Sequence, residues 1–130
     1  MTARAFIIGI SGLAMTAEER GFVRDAQPWG LILFKRNVEA PDQVRRLTSA
    51  FRDAVGSDAP VLVDQEGGRV QRLGPPHWPI YPSAAVYGRL YERDRDSGLR
   101  AAHLAARLIA HDLKSVGIDV DCAPVADTPV

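Results

Sequence analysis

Short, unbroken apolar runs alternate along this chain with longer segments in which apolar residues return every three or four positions. The first run, near Phe6 to Ile10, reads as a strand. Thr16-Ala17-Glu18-Glu19 follows with the Thr-x-x-Glu spacing of a capping box, and a helix is expected from there to about Ala26. Pro28-Trp29-Gly30 breaks the chain ahead of a second strand, Leu31 to Phe34. Pro41 suits a first helical position, and Val44, Leu47, Phe51 and Val55 recur at helical spacing up to Gly56. Val61 to Val63 is a third strand, apolar throughout, as in a sheet covered on both faces. A long loop rich in proline and glycine leads to a helix of about twenty residues. Its stripe is Leu99, Ala102, Ala106, Ile109, Leu113 and Val116, with Gly117 as its cap, and a last strand runs from Ile118 to Cys122.

The predicted order β-α-β-α-β-loop-α-β calls for right-handed crossovers and a parallel sheet. A doubly wound sheet and part of a (β/α)8 barrel both satisfy it. Four strands make half a barrel, and a complete one takes roughly 250 residues. The chain ends at Asp127-Thr128-Pro129-Val130, directly after a strand and without its next helix, which reads as a truncation.

Arg4 and the apolar Ala5–Ile10 resemble the opening of a secretory signal, but Gly9, Ser11 and Gly12 break the run and no Ala-x-Ala site follows. A strand fits better, and no segment approaches the ~18 apolar residues of a membrane span. At 130 residues and 46% hydrophobic, the chain has the size and apolar content of one globular domain. Sixteen basic residues balance sixteen acidic ones without blocks of either sign, which disfavours nucleic acid and anionic membranes as partners. Cys122, alone of its type and in a strand-like run, is expected to be a buried thiol.

Candidate chemistry concentrates where the third strand ends, in Val61 to Leu73. Parallel α/β folds bind ligands at the carboxyl ends of their strands. Asp64, placed there, can accept hydrogen bonds from two neighbouring hydroxyls, as a polyol or sugar site requires; it can also merely cap the turn. Gly67 and Gly68 permit positive φ and close approach of backbone to a ligand, or simply make a turn. Arg69 and Arg72 can orient hydroxyl, amide or carboxylate groups, or stand solvated.

Other chemistries fare worse on the same residues. Asp64, Glu66 and a nearby His77 form an incomplete set for a divalent cation. His103 and His111, eight residues apart on one helix, do not make the i, i+4 metal pair, and no Gly-x-x-x-x-Gly-Lys, Gly-x-Gly-x-x-Gly or Gly-x-Ser-x-Gly motif occurs. Cys122 has no histidine near it in sequence to activate it as a nucleophile. A nucleotide-binding α/β domain is thus a weak alternative, and neither metal nor cofactor is expected.

Three motifs in order then carry a resemblance: Gly30-Leu31-Ile32-Leu33-Phe34-Lys35-Arg36-Asn37, the ten residues Asp64 to Leu73, and Ile118 to Asp127. Together they resemble the N-terminal part of bacterial β-N-acetylhexosaminidases of glycoside hydrolase family three, over essentially the whole chain. The resemblance implies the first half of a single (β/α)8 catalytic domain that, when complete, releases terminal β-linked N-acetylglucosamine from muropeptide fragments in cytoplasmic peptidoglycan recycling. It carries two substrate-binding positions over, Asp64 and Arg72, and leaves Asp121 and Asp127 as weaker candidates. The family's carboxylate nucleophile and histidine-containing loop, which serve a retaining mechanism, lie beyond the matched region. Residues 1–130 are therefore expected to recognise sugar without cleaving it, and a non-catalytic sugar-binding half-barrel stands as the alternative.

Overall fold

A computed structural model describes residues 3–126. In chain order they form β1 (Arg4–Ile8), α1 (Ala17–Ala26), β2 (Pro28–Leu33), α2 (Pro41–Val55), β3 (Val61–Val63), the short β4 (Gln65–Gly67) and β5 (Val70–Gln71), α3 (Ala84–Arg93), α4 (Arg95–Ser115) and β6 (Val120–Asp121). A 3-10 turn covers Lys35–Asn37.

The main sheet has the order β1-β2-β3-β6, and every neighbouring pair is parallel. Each crossover moves one strand further in the same direction. A doubly wound sheet reverses direction partway, so this order selects half of a (β/α)8 barrel from the two architectures that the pattern allowed. β4 and β5 form a separate antiparallel hairpin directly above β3.

The capping box forms as its spacing requires. Glu19 N donates to Thr16 Oγ1 at 3.1 Å and Thr16 N to Glu19 Oε2 at 2.8 Å, while Ser11 N reaches Glu19 Oε1 at 2.7 Å. One carboxylate thus starts α1 and anchors the loop leaving β1. Burial alone would raise the Glu19 carboxyl; the hydrogen bonds from Thr16 and Ser11 outweigh it and hold the group below its ordinary range. α2 begins at Pro41 and stops at Gly56, whose φ of +70° suits glycine.

Strand alternation divides the sheet. Leu31, Leu33, Val61 and Val63 are buried against Val44, Leu47 and Phe51 of α2 and against Val116 and Ile118. Ile32 and Leu62, paired in register, point to the opposite face. At the amino ends of the strands, Asp119 Oδ2 accepts from Arg52 Nη2 at 2.6 Å and from Val61 N at 3.1 Å, which fastens the last crossover to β3 and α2.

Several boundaries depart from the pattern. β1 lies two residues earlier than expected, and β2 starts at Pro28 because proline is tolerated as the first residue of a strand. Gly30 is then inside a strand, where a Cβ would stand 2.9 Å from Pro60 O. Four helices replace the three main ones expected, since α3 occupies part of the segment read as loop. Gly98 lets α3 and α4 meet: a Cβ there would lie 2.4 Å from Tyr91 Cα. The α4 stripe is core-facing only at its carboxyl end. Leu113 and Val116 are buried and Ile109 partly so, but Leu99, Ala102 and Ala106 are exposed.

Candidate functional site

Asp64 is the first residue beyond β3, at the carboxyl end of the sheet, and Arg72 follows β5. The hairpin folds Arg72 back so that its Nη2 donates to Asp64 Oδ2 at 2.7 Å. The structure therefore brings together the two residues that the motif singled out. Their side chains are 22% and 26% exposed respectively, open enough for a ligand to reach the remaining oxygen and N–H groups. Arg72 Nε is buried with no hydrogen-bond partner.

Two glutamines hold this arrangement, and neither was singled out from sequence. Gln65 is fully buried. Its N–H donates to Asp121 Oδ1 at 2.9 Å, its Nε2 donates to Leu73 O at 2.9 Å, and its Oε1 accepts from Arg72 N at 2.9 Å and Leu73 N at 3.0 Å. Gln71 donates to Leu73 O and Pro79 O, both at 2.7 Å, and accepts from Tyr81 N at 2.9 Å. Tyr81 in turn donates its hydroxyl to Asp112 Oδ2 on α4 at 2.6 Å; burial first, then Asp112, pushes its phenol well up. Gln65 lies between two carboxylates and Gln71 beside Arg72, so the sequence marks neither as an amide that replaces missing backbone partners.

Gly67 and Gly68 resolve the alternatives left by the sequence. Both have positive φ, and what approaches them closely is the chain itself. A Cβ on Gly67 would lie 2.3 Å from Pro82 O, and one on Gly68 would lie 2.8 Å from Ser83 Cβ. Gly68 N also donates to Tyr81 O at 2.8 Å. The glycines thus lock the hairpin against residues 81–83. Arg69 is exposed, and so are His77, His103 and His111.

Neighbouring strand ends complete the surroundings. Lys35, following β2, donates from Nζ to Arg72 O at 3.2 Å, and buried Asn37 donates to Ile10 O and Gly12 O. Asp121 ends β6; burial, then the charges of Glu66 and Asp64, raises its carboxyl against the opposing hydrogen bond from Gln65 N. Cys122 corrects the expectation of a buried thiol, for the residue is exposed. It sits at the rim because β6 ends at Asp121; partial burial and then Asp64 raise its thiol. Asp127 lies outside the described residues.

Asp64, Glu66 and Asp121 thus gather at one end of the sheet with Arg72 as the cation paired to Asp64. Ionised carboxylates are acceptors only, and a guanidinium is a donor only, so the pair offers both halves of a hydroxyl-binding pattern. Among the described residues, no group of three His, Cys, Asp or Glu side chains is arranged to hold a metal ion. A cleft of about 810 Å³ runs along the open flank of α4, lined by Ala102, Ala106, Ile109 and Leu113, and adjoins the site at Gln65, Glu66 and Asp121. Asp64 and Arg72 do not line it.

Fold and site together define a β/α-barrel protein with a polar, carboxylate-centred site at the carboxyl ends of its strands. Residues 4–129 match the model of the glycosyl hydrolase family 3 N-terminal domain, and the chain belongs to that family. A β-hexosaminidase of Xanthomonas euvesicatoria pv. vesicatoria is 38% identical over 121 residues, which is 93% of this chain and 36% of that protein. NagZ from Neisseria gonorrhoeae, solved in complex with zinc ion, superposes with a TM-score of 0.90 at 30% identity, covering 96% of this chain and 38% of NagZ. The same enzyme in complex with N-trifluoroacetyl-D-glucosamine gives a TM-score of 0.87 at 29% identity, over 94% of this chain and 35% of NagZ. The chain spans little more than a third of the length of these relatives.

Proposed function

We propose that residues 1–130 are the N-terminal part of a single catalytic barrel that hydrolyses terminal, non-reducing β-linked N-acetylglucosamine, with Asp64 and Arg72 as part of its sugar-binding subsite. The observation that carries the reading is the Asp64–Arg72 pair, held at 2.7 Å at the strand ends yet still partly exposed. Asp64 would accept two adjacent sugar hydroxyls while Arg72, hydrogen-bonded to it, donates alongside it. The relatives named β-hexosaminidase, and the NagZ complex with a glucosamine derivative, support this substrate class.

The reaction would follow the retaining course, with two catalytic groups ~5–5.5 Å apart, neither of them supplied by Asp64 or Arg72, which are engaged with each other. Muropeptide fragments are the proposed natural substrates and peptidoglycan recycling in the cytoplasm the setting. Among the described residues, no helix is long and apolar enough to cross a membrane. Purified 130-residue chain should release nothing from a chromogenic β-N-acetylglucosaminide, whereas a chain extended to the length of its relatives should. Turnover by the 130-residue chain, or none by the extended one, would overturn the proposal.

A further inference from the structure

We infer that Gln65 is the positioning residue of this site: its buried amide fixes where Arg72 stands, and through Arg72 sets how Asp64 is presented to a sugar. The role in sugar binding rests on the proposed function; the control of Arg72 does not.

Gln65 begins the hairpin and Arg72 follows its return strand seven residues later, at the same open end, and the register between β4 and β5 is irregular between Gln65 and Gly67. Strand pairing alone therefore leaves the return strand loosely specified. What fixes it is the side-chain amide. Oε1 takes the N–H groups of Arg72 and Leu73 together, and Nε2 takes Leu73 O, so one planar group holds three consecutive-chain polar atoms at 2.9 to 3.0 Å. The backbone N–H of Gln65 donates to Asp121 Oδ1 at 2.9 Å, which ties the residue that carries this amide to β6. Arg72 starts from this fixed backbone, and Lys35 holds its carbonyl at 3.2 Å from the β2 side.

The chemistry required of position 65 is specific. It needs an acceptor for two N–H groups and, on the same small group, a donor for a carbonyl. A methionine of similar volume supplies neither. A carboxyl supplies both when protonated, and only the acceptor when ionised, when it also turns negative charge on Leu73 O. Burial raises the pKa of such a carboxyl, which brings its titration into an accessible range.

The test compares wild type, Gln65→Met and Gln65→Glu as the whole 130-residue chain, with two readouts. The first uses no sugar: the Arg72 Nε–H resonance in a 15N NMR spectrum, taken with the amide spectrum as the measure of folding. Gln65→Met should move this resonance to the position of a solvated arginine, and Gln65→Glu should match wild type at low pH and Gln65→Met at high pH. The second is titration with N-acetylglucosamine. Binding should weaken about tenfold in Gln65→Met, the scale for stranding one or two buried polar groups, and the ratio of Gln65→Glu to wild-type affinity should fall with rising pH by one proton. An Arg72 resonance unchanged in a folded Gln65→Met, or a Gln65→Glu offset independent of pH, would overturn the inference. If wild type binds no sugar, the proposed function fails and the Arg72 resonance still decides the role of Gln65.

Discussion

Substituting alanine at Gly67 and at Gly56 separates two reasons for having a glycine. Both residues have positive φ, +83° and +70°, so an alanine at either is strained by about 1–2 kcal/mol. At Gly56 nothing lies within 4 Å of the added Cβ. At Gly67 the Cβ would be 2.3 Å from Pro82 O and 3.1 Å from Tyr81 O, both backbone atoms. Restoring ordinary contact means moving residues 81–83 by roughly 1 Å. That movement breaks the Gly68 N to Tyr81 O bond of 2.8 Å and loosens the Tyr81 N to Gln71 Oε1 bond of 2.9 Å. At about 1 kcal/mol net for each bond, Gly67→Ala should lose roughly 2 kcal/mol more than Gly56→Ala, about a thirtyfold difference in the folded-to-unfolded ratio. Urea unfolding followed by the fluorescence of Trp29 and Trp78 measures it. Equal losses in the two variants would show that Gly67 serves backbone conformation alone and that its contact with residues 81–83 carries no weight.

Three further predictions concern other parts of the frame. Thr16→Ala removes the hydroxyl that accepts from Glu19 N and should destabilise the chain by about 1 kcal/mol, with faster hydrogen exchange at the Glu19 amide. Asp119→Ala strands Val61 N and releases Arg52, on a side chain that is 52% exposed, so the loss should stay near about 1 kcal/mol in urea unfolding and leave sugar binding untouched. Asp121 has its carboxyl raised by burial first and then by Glu66 and Asp64, so the folded chain holds that proton more tightly than the unfolded one. Stability attached to it is therefore full below the unfolded value of 3.8 and declines as pH rises through the folded value. Asp121→Asn, which keeps an oxygen for Gln65 N, should gain on wild type as pH rises through that window and match it below; a gap in the urea midpoint that is flat or reversed would contradict this.

What the sequence made legible follows how local each cause is. The capping box at Thr16 and Glu19 and the Pro41-to-Gly56 helix depend on side chains within a turn of each other, and both appear where their spacing places them. Val61–Val63 is short but apolar at every position, and it forms as read. Pro28 and Gly30 misled because proline is disfavoured only inside a ladder and the glycine answers to Pro60, the residue just ahead of β3, a contact thirty residues away. α3 was hidden because Ser83 makes no side-chain capping bond and because Gly98, in the first turn of the next helix, is what admits its packing. The α4 stripe shows the converse: its period is correct, but periodicity names a face without naming what covers it, and the face at Ala102 and Ala106 lines an open cleft.

The site divides in the same way. A carboxylate ending an apolar strand pointed to Asp64, and the motif added Arg72; the structure joins them across eight residues of chain. Gln65 and Gln71 escaped notice because their value lies in the backbone groups they satisfy, which are those of Arg72, Leu73, Pro79 and Tyr81, and no periodicity encodes those pairings. Cys122 was misplaced because β6 ends at Asp121, which leaves the thiol at the rim beside Asp64.

The central claim, that the strand-end pair is a sugar subsite, is tested most directly by titrating N-acetylglucosamine into 15N-labelled chain and into Asp64→Ala. Saturable shifts confined to residues 64–73 and the ends of β2 and β6 are expected in the wild type, and their loss in a folded Asp64→Ala. Shifts that centre on the α4 cleft, or that persist when Asp64 is replaced, would contradict it.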